Sequence, residues 1–415
     1  VQTLARMRCG ATLGRLLCHP TLPLVAGWDT DRPTIRIWEY TVGQLREIGA
    51  FGTGAAGYDA SGYDRAERTP SAAWHPTEPQ LVIADDTSTV RWTPSGTAPI
   101  DGVPPAEYSR EVAFSPDGRT LWLSPNDGEN GWESSIALDL ASGTTSTGPR
   151  WDTGVAAHPG GGLVATLQSD QGATLVRFSQ DTQPVLRPLR RALILDCDGY
   201  QTPIFSPNGR HFAIRGNAYD NSLEVFDFPS LRRLLGLTLG DPCPGYPYPE
   251  EWLESMNAWS RHNVAFGPSP GVLWIGTPEG ALIELEIDGR QVTEHEVLPG
   301  TPVTALTAAA TGELIVAGDG TLVVLSGGPA TTAEGATDAV RTFLTGTAES
   351  SATDIDELDL TDGTRTWQPG ELRTVTEASD SDPSWLKIGA TMNGLKADHP
   401  AASPQGKPLP SAQAR

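Results

Sequence analysis

The chain has 415 residues, with 51 Asp and Glu against 29 Lys and Arg, a formal net charge of -22. That length suits one large domain plus an appendage. The acidity argues against nucleic acid or an anionic membrane as the main partner, because binding phosphate needs a basic face.

In chain order, the first element is an isolated strand, Val1 to Met7, followed by a recurring phrase. It reads Leu17-Cys18-His19-Pro20, Ala73-Trp74-His75-Pro76, Ala113-Phe114-Ser115-Pro116-Asp117-Gly118-Arg119, Ala157-His158-Pro159-Gly160, Ile204-Phe205-Ser206-Pro207-Asn208-Gly209-Arg210 and Ala265-Phe266-Gly267-Pro268, with a degenerate Ala305-Leu306-Thr307-Ala308. Counted between His19, His75, Ser115, His158, Ser206, Gly267 and Thr307, the intervals are 56, 40, 43, 48, 61 and 40 residues. These are propeller-repeat lengths.

Each unit carries two apolar runs joined by a Pro/Gly turn, then a third run and a weaker fourth. In unit three these are 110–114, 120–123, 135–140 and 144–147. The pattern predicts a four-stranded antiparallel meander. A lone sheet of that kind cannot bury both faces, so seven must stack around an axis. Unit seven supplies only three strands, ending at Thr321 to Leu325. The N-terminal strand is therefore predicted to complete blade seven, since an unpaired edge invites aggregation.

After the propeller, residues 1–327, the texture changes to Ala, Thr, Ser, Gly and Asp. Residues 328–397 read as a linker and a small α/β appendage, and 398–415, with four prolines, as a disordered tail. Within the appendage, Asp338 to Leu344 suggests a helix and Asp354 to Trp367 a strand pair about Asp362-Gly363. Pro369 to Glu377 suggests a second helix, and Asp382-Pro383 a cap for a third with Trp385, Leu386, Ile388 and Met392 as its apolar residues.

Thr34-Ile35-Arg36-Ile37-Trp38-Glu39 in unit one and Leu223-Glu224-Val225-Phe226-Asp227 in unit five resemble the end of a WD40 repeat. Val90-Arg91-Trp92 and Ile136-Ala137-Leu138-Asp139 are poorer versions. The Gly-His pair that opens many repeats of that family is absent, so the resemblance is to divergent bacterial WD40-like seven-bladed β-propellers. It implies an interaction platform, in a setting such as a multi-component bacterial signalling or defence system.

The long intervals place insertions at Gly52 to Pro70 and Gly240 to Arg261, both joining a fourth strand to the next blade. Longer second-to-third-strand loops fall at Asn126 to Trp132 and Asn217 to Asn221. All four project from one face, and each sets aromatic residues beside acids. The predicted partner-binding residues are Tyr58, Asp59, Tyr63, Asp64, Trp132, Glu133, Tyr219, Tyr246, Tyr248, Trp252 and Trp259. Loops on a rigid scaffold commonly carry recognition, and Tyr and Trp are enriched in interaction hot spots. The acidic neighbours point to a basic protein partner. Trp252 and Trp259, seven residues apart with Leu253 and Met256 between them, equally suit packing of the insertion on the rim.

Catalytic signals are weak. His19, His75 and His158 occupy equivalent turns in different blades, which cannot converge on one ion, so they read as turn residues. Asp196-Cys197-Asp198-Gly199 lacks the later Glu of a calcium loop. No nucleophile elbow, Walker sequence or His-Glu-x-x-His helix is present. Cys9, Cys18, Cys197 and Cys243 have neither zinc-site nor disulfide-framework spacing and read as reduced. The expectation is a cytoplasmic, non-enzymatic scaffold without cofactor or metal, binding neither nucleic acid nor membrane. The alternative is a propeller-type hydrolase or small-molecule sensor with a site in the axial channel.

Overall fold

In a computed structural model, the structure describes residues 1–41, 43–58, 69–85, 87–103, 111–124, 134–170, 172–328, 335–352 and 354–398. Seven antiparallel blades form a propeller ring. Blade three, for example, is Glu111–Phe114, Thr120–Ser124, Ile136–Asp139 and Thr145–Thr147, within a residue or so of the sequence reading.

Burial follows position in the blade. Second strands such as Leu81–Ala84, Thr120–Ser124 and Val272–Gly276 are buried throughout, because each is covered by blades on both sides. Outer strands such as Thr145–Thr147 are exposed. Between neighbouring blades lies a separate apolar core. Trp28, Ile37, Trp74 and Trp92 fill the one between blades one and two, and Leu13, Trp38, Ile315 and Val324 the one between seven and one.

Ring closure is as the sequence predicts. Gln2–Arg8 pairs antiparallel with Thr321–Ser326 and becomes the outermost strand of blade seven, from Gln2↔Ser326 to Arg8↔Thr321 with a register shift between Thr3 and Ala5. The first and last parts of the propeller sequence thus share one sheet.

The recurring phrase is a turn device with two chemical solutions. In the Ser form, Ser115 Oγ donates to Asp117 Oδ1 (2.7 Å) and accepts from Thr120 N (3.0 Å), while Asp117 Oδ1 also accepts from Arg119 N. Ser206 and Asn208 repeat this arrangement. In the His form the imidazole does both jobs and reaches the next blade. His19 Nδ1 accepts from Thr21 N and Leu22 N, and its Nε2 donates to Glu78 O (2.8 Å). His158 accepts from Gly160 N and donates to Gly209 O (3.0 Å). The following turn must leave room for the ring. A Cβ on Gly118, which sits at φ +73°, would lie 2.1 Å from His75 Nε2.

Burial holds the His19, His158 and His211 imidazoles below their ordinary value, so the folded chain takes up these protons less readily than the unfolded chain. Their contribution to stability is therefore full above about pH 6.5, the unfolded value, and falls as pH drops below it. The slope is at most about 1.4 kcal/mol per pH unit for each such group. Melting curves between pH 7 and 5 are expected to show this loss, and His158→Asn to flatten it while lowering stability at pH 7. An unchanged slope in the variant would refute the assignment.

The segment after blade seven packs against blade four. Asp359–Thr361 adds in parallel to that blade's outer strand, Leu186–Asp196, through Arg191↔Asp359, Ala192↔Leu360 and Leu193↔Thr361, and Thr366–Trp367 follows antiparallel. Leu175, Ala192, Ile194, Leu360, Trp367, Trp385 and Leu386 form a further core there. Three helices, α1 (Glu250–Ala258), α2 (Ala336–Thr345) and α3 (Ser384–Asp398), complete the described elements.

Two expectations for this segment need correction. The pattern from Pro369 forms only a 3-10 turn, Glu371–Thr374, where β-branched Thr374, Val375 and Thr376 oppose continuation. In α3 the packed side is Trp385, Leu386 and Ala390, whereas Ile388 and Met392 are exposed.

Candidate site: the inserted-loop face and the axial channel

The inner strand of every blade begins at one face of the ring. Short connections and insertions surround that end. The loop Asn217 to Asn221 is tied down by Asn217 Oδ1, which accepts from Tyr219 N and Asp220 N, leaving Tyr219 at the tip and 52% exposed. The insertion after blade five then folds over that loop. Asn221 Nδ2 donates to Met256 O (2.8 Å) at the end of α1, and Arg261 Nη2 donates to Gly199 O and to Asn217 O.

Within this insertion the aromatic residues divide by environment. Tyr246 is 88% exposed, at the outer end of a chain of ring contacts running through Tyr248 to Trp252. Trp252 is buried and donates Nε1–H to Asp241 O (3.2 Å). Trp259 is half-buried and packs on the core between blades five and six, against the backbone of Gly240. Both tryptophans therefore hold the insertion down. Tyr58 is half-buried, its N–H bonded to Asp31 O in the second-to-third-strand loop of blade one. Asp59, Tyr63, Asp64, Trp132 and Glu133 lie outside the described residues.

The channel through the ring is open, with a volume of about 1250 Å³. Its middle is apolar, with Leu17, Ala72, Val112, Ala265 and Leu306 among the lining residues. At the inserted-loop end it is charged. Arg15, Arg215, Arg261 and His262 come from blades one, five and six, while Glu111, Asp152 and Asp198 come from blades three to five. The carboxylates of Glu111 and Asp152 already have partners: Ser71 Oγ donates to Glu111 (3.1 Å), and Arg150 donates to Asp152 (3.1 Å).

This polar ring is the feature that sequence reasoning missed. Its signal was present as charged residues just ahead of inner strands, Arg261-His262 before Val264 and Arg150-Trp151-Asp152 before Ala156. It went unread because repeat spacing directs attention to the turns at the other end. Among the described residues no group of three or more His, Cys, Asp or Glu side chains is placed to hold a metal ion, and no helix is long and apolar enough to cross a membrane.

No known protein-family model matches the chain, and no curated protein is significantly similar to it in sequence.

Proposed function

We propose that this seven-bladed propeller is a cytoplasmic, non-enzymatic scaffold of the divergent WD40-like kind, holding a basic protein partner on its inserted-loop face. The supporting observation is the exposure of Tyr219 and Tyr246 on loops that brace one another, with Asp220, Asp241, Glu250 and Glu251 nearby in the same loops. Tyrosine offers large contact area at little conformational cost, and the acids steer a positively charged surface to it. A bacterial signalling or defence assembly is the setting this reading favours.

The test is affinity purification from the native host with wild type and a Tyr219→Ala, Tyr246→Ala variant. The variant is expected to melt like wild type, since neither ring is packed in a core, and to lose its main co-purifying protein. Truncating a hot-spot tyrosine typically costs about 2 kcal/mol or more of binding. Identical partners for both proteins would count against this face.

A further inference from the structure

Residues 240–260, the insertion after blade five, carry the carboxylates of Asp241, Glu250, Glu251 and Glu254 and no Lys or Arg. All of these acids are exposed, and none has an ion-pair partner among the described residues. Three aromatic rings lie in the same stretch. Tyr248 packs on Trp252 at 5.4 Å, and Tyr246 stands against Tyr248 at 5.9 Å with the two rings 87° apart. Glu250 and Glu251 precede Trp252 in the first turn of α1. Trp252 Nε1–H, donated to Asp241 O, brings Asp241 to the foot of this ladder of rings.

Two perpendicular rings make a corner with an aromatic face on its wall, and such a face attracts a cation. Tyr246 is 88% exposed, so the corner is open to a partner. The backbone that carries it is stiff. Pro242, Pro244, Pro247 and Pro249 fall within Asp241 to Pro249, and proline fixes φ, which reduces the entropy lost on binding. At the far end of α1, Met256 O accepts from Asn221 Nδ2 (2.8 Å) and ties the insertion to blade five.

Aromatic faces beside unpaired carboxylates favour a planar cation over a compact one. A guanidinium stacks on a ring while its N–H groups reach carboxylates at the edge, whereas an ammonium is more strongly hydrated. We propose that the corner formed by Tyr246 and Tyr248 receives an arginine side chain of the protein partner, its guanidinium against the rings and within reach of Glu250, Glu251 and Asp241. The inference rests on the inserted-loop face as the docking surface and names the side chain that docks there.

Calorimetric titration at about 0.15 M salt with a short blocked peptide of alternating arginine and glycine tests it. The same peptide with lysine, or with citrulline as an uncharged isostere, replaces arginine in the control arms. The arginine peptide is expected to bind, the lysine peptide about threefold more weakly, and the citrulline peptide not measurably. Tyr246→Leu keeps the bulk and removes the aromatic face; it should weaken arginine binding about threefold or more, and Tyr246→Phe should restore it. Neither should shift the melting temperature, because the ring is exposed. Glu250→Gln with Glu251→Gln should weaken binding by a similar factor. Glu78→Gln with Asp288→Asn, exposed in turns at the opposite end of the ring, should leave it unchanged and so controls for net charge.

Absence of arginine-peptide binding at about 1 mM overturns the proposal. So does equal binding by wild type and Tyr246→Leu, equal binding of the lysine or citrulline peptide, or the same loss from both carboxylate pairs. Affinity purification separates this inference from the reading beneath it. A partner lost by Tyr219→Ala, Tyr246→Ala but kept by Tyr246→Leu leaves the inserted-loop face standing and removes the arginine from it.

Discussion

Deleting residues 1–8 is expected to lower the melting temperature by roughly 5–10 °C and to promote aggregation, although it removes only one exposed-edge strand. Gln2–Arg8 supplies the outer ladder of blade seven, buries Ala5 and half-buries Leu4 and Met7 against the core shared by blades seven and one. Backbone hydrogen bonds at about 1 kcal/mol each and partial burial of the apolar side chains together come to about 5 kcal/mol. The deletion also leaves Thr321–Ser326 as an unpaired edge of Val and Leu residues. Differential scanning calorimetry and light scattering read both effects. A melt identical to that of the intact chain would show that the ring does not depend on this closure.

Phe343→Ala is expected to cost about 3–5 kcal/mol, the range for removing a buried phenyl ring. Phe343 belongs to α2, outside the repeats, yet it is fully buried and lies 5.1 Å from both Phe178 of blade four and Phe228 of blade five. Val340, one turn earlier, enters the same core. The substitution should therefore destabilise the propeller itself. Ile388→Ala, at an exposed position of α3, should stay within about 0.5 kcal/mol of wild type. Denaturant unfolding separates the two outcomes, and a small loss for Phe343→Ala would mean that α2 is only loosely held.

The attachment of residues 335–398 was half-legible. Their short helices and the turn at Asp362-Gly363 follow from local pattern, and so does their inability to form a large core alone. Their destination had a signal too. The fourth strand Gln291–Glu296 reads as polar, whereas blade four's ends in the unbroken apolar run Ala192-Leu193-Ile194-Leu195. An outer strand that apolar must be covered, and Leu360, Trp367 and Trp385 cover it. Nothing local matched that strand to that segment, since the contact spans more than 160 residues.

Repeat spacing, the Ser-Pro-Asp-Gly and His-Pro turns and the missing strand of unit seven carry the seven-bladed ring and its closure, because each depends on short-range chemistry repeated seven times. Periodicity also fixes which end of each strand carries the insertions, hence the shared face of Tyr219 and Tyr246. The chain order alone does not reveal that Trp252 and Trp259 turn inward, that a distant appendage seals blade four, or that Arg261 of blade six reaches the backbone of Gly199 and Asn217 in blade five. These are decided by which side chains the closed ring brings together across blades, and a one-dimensional pattern encodes the strands without encoding their neighbours.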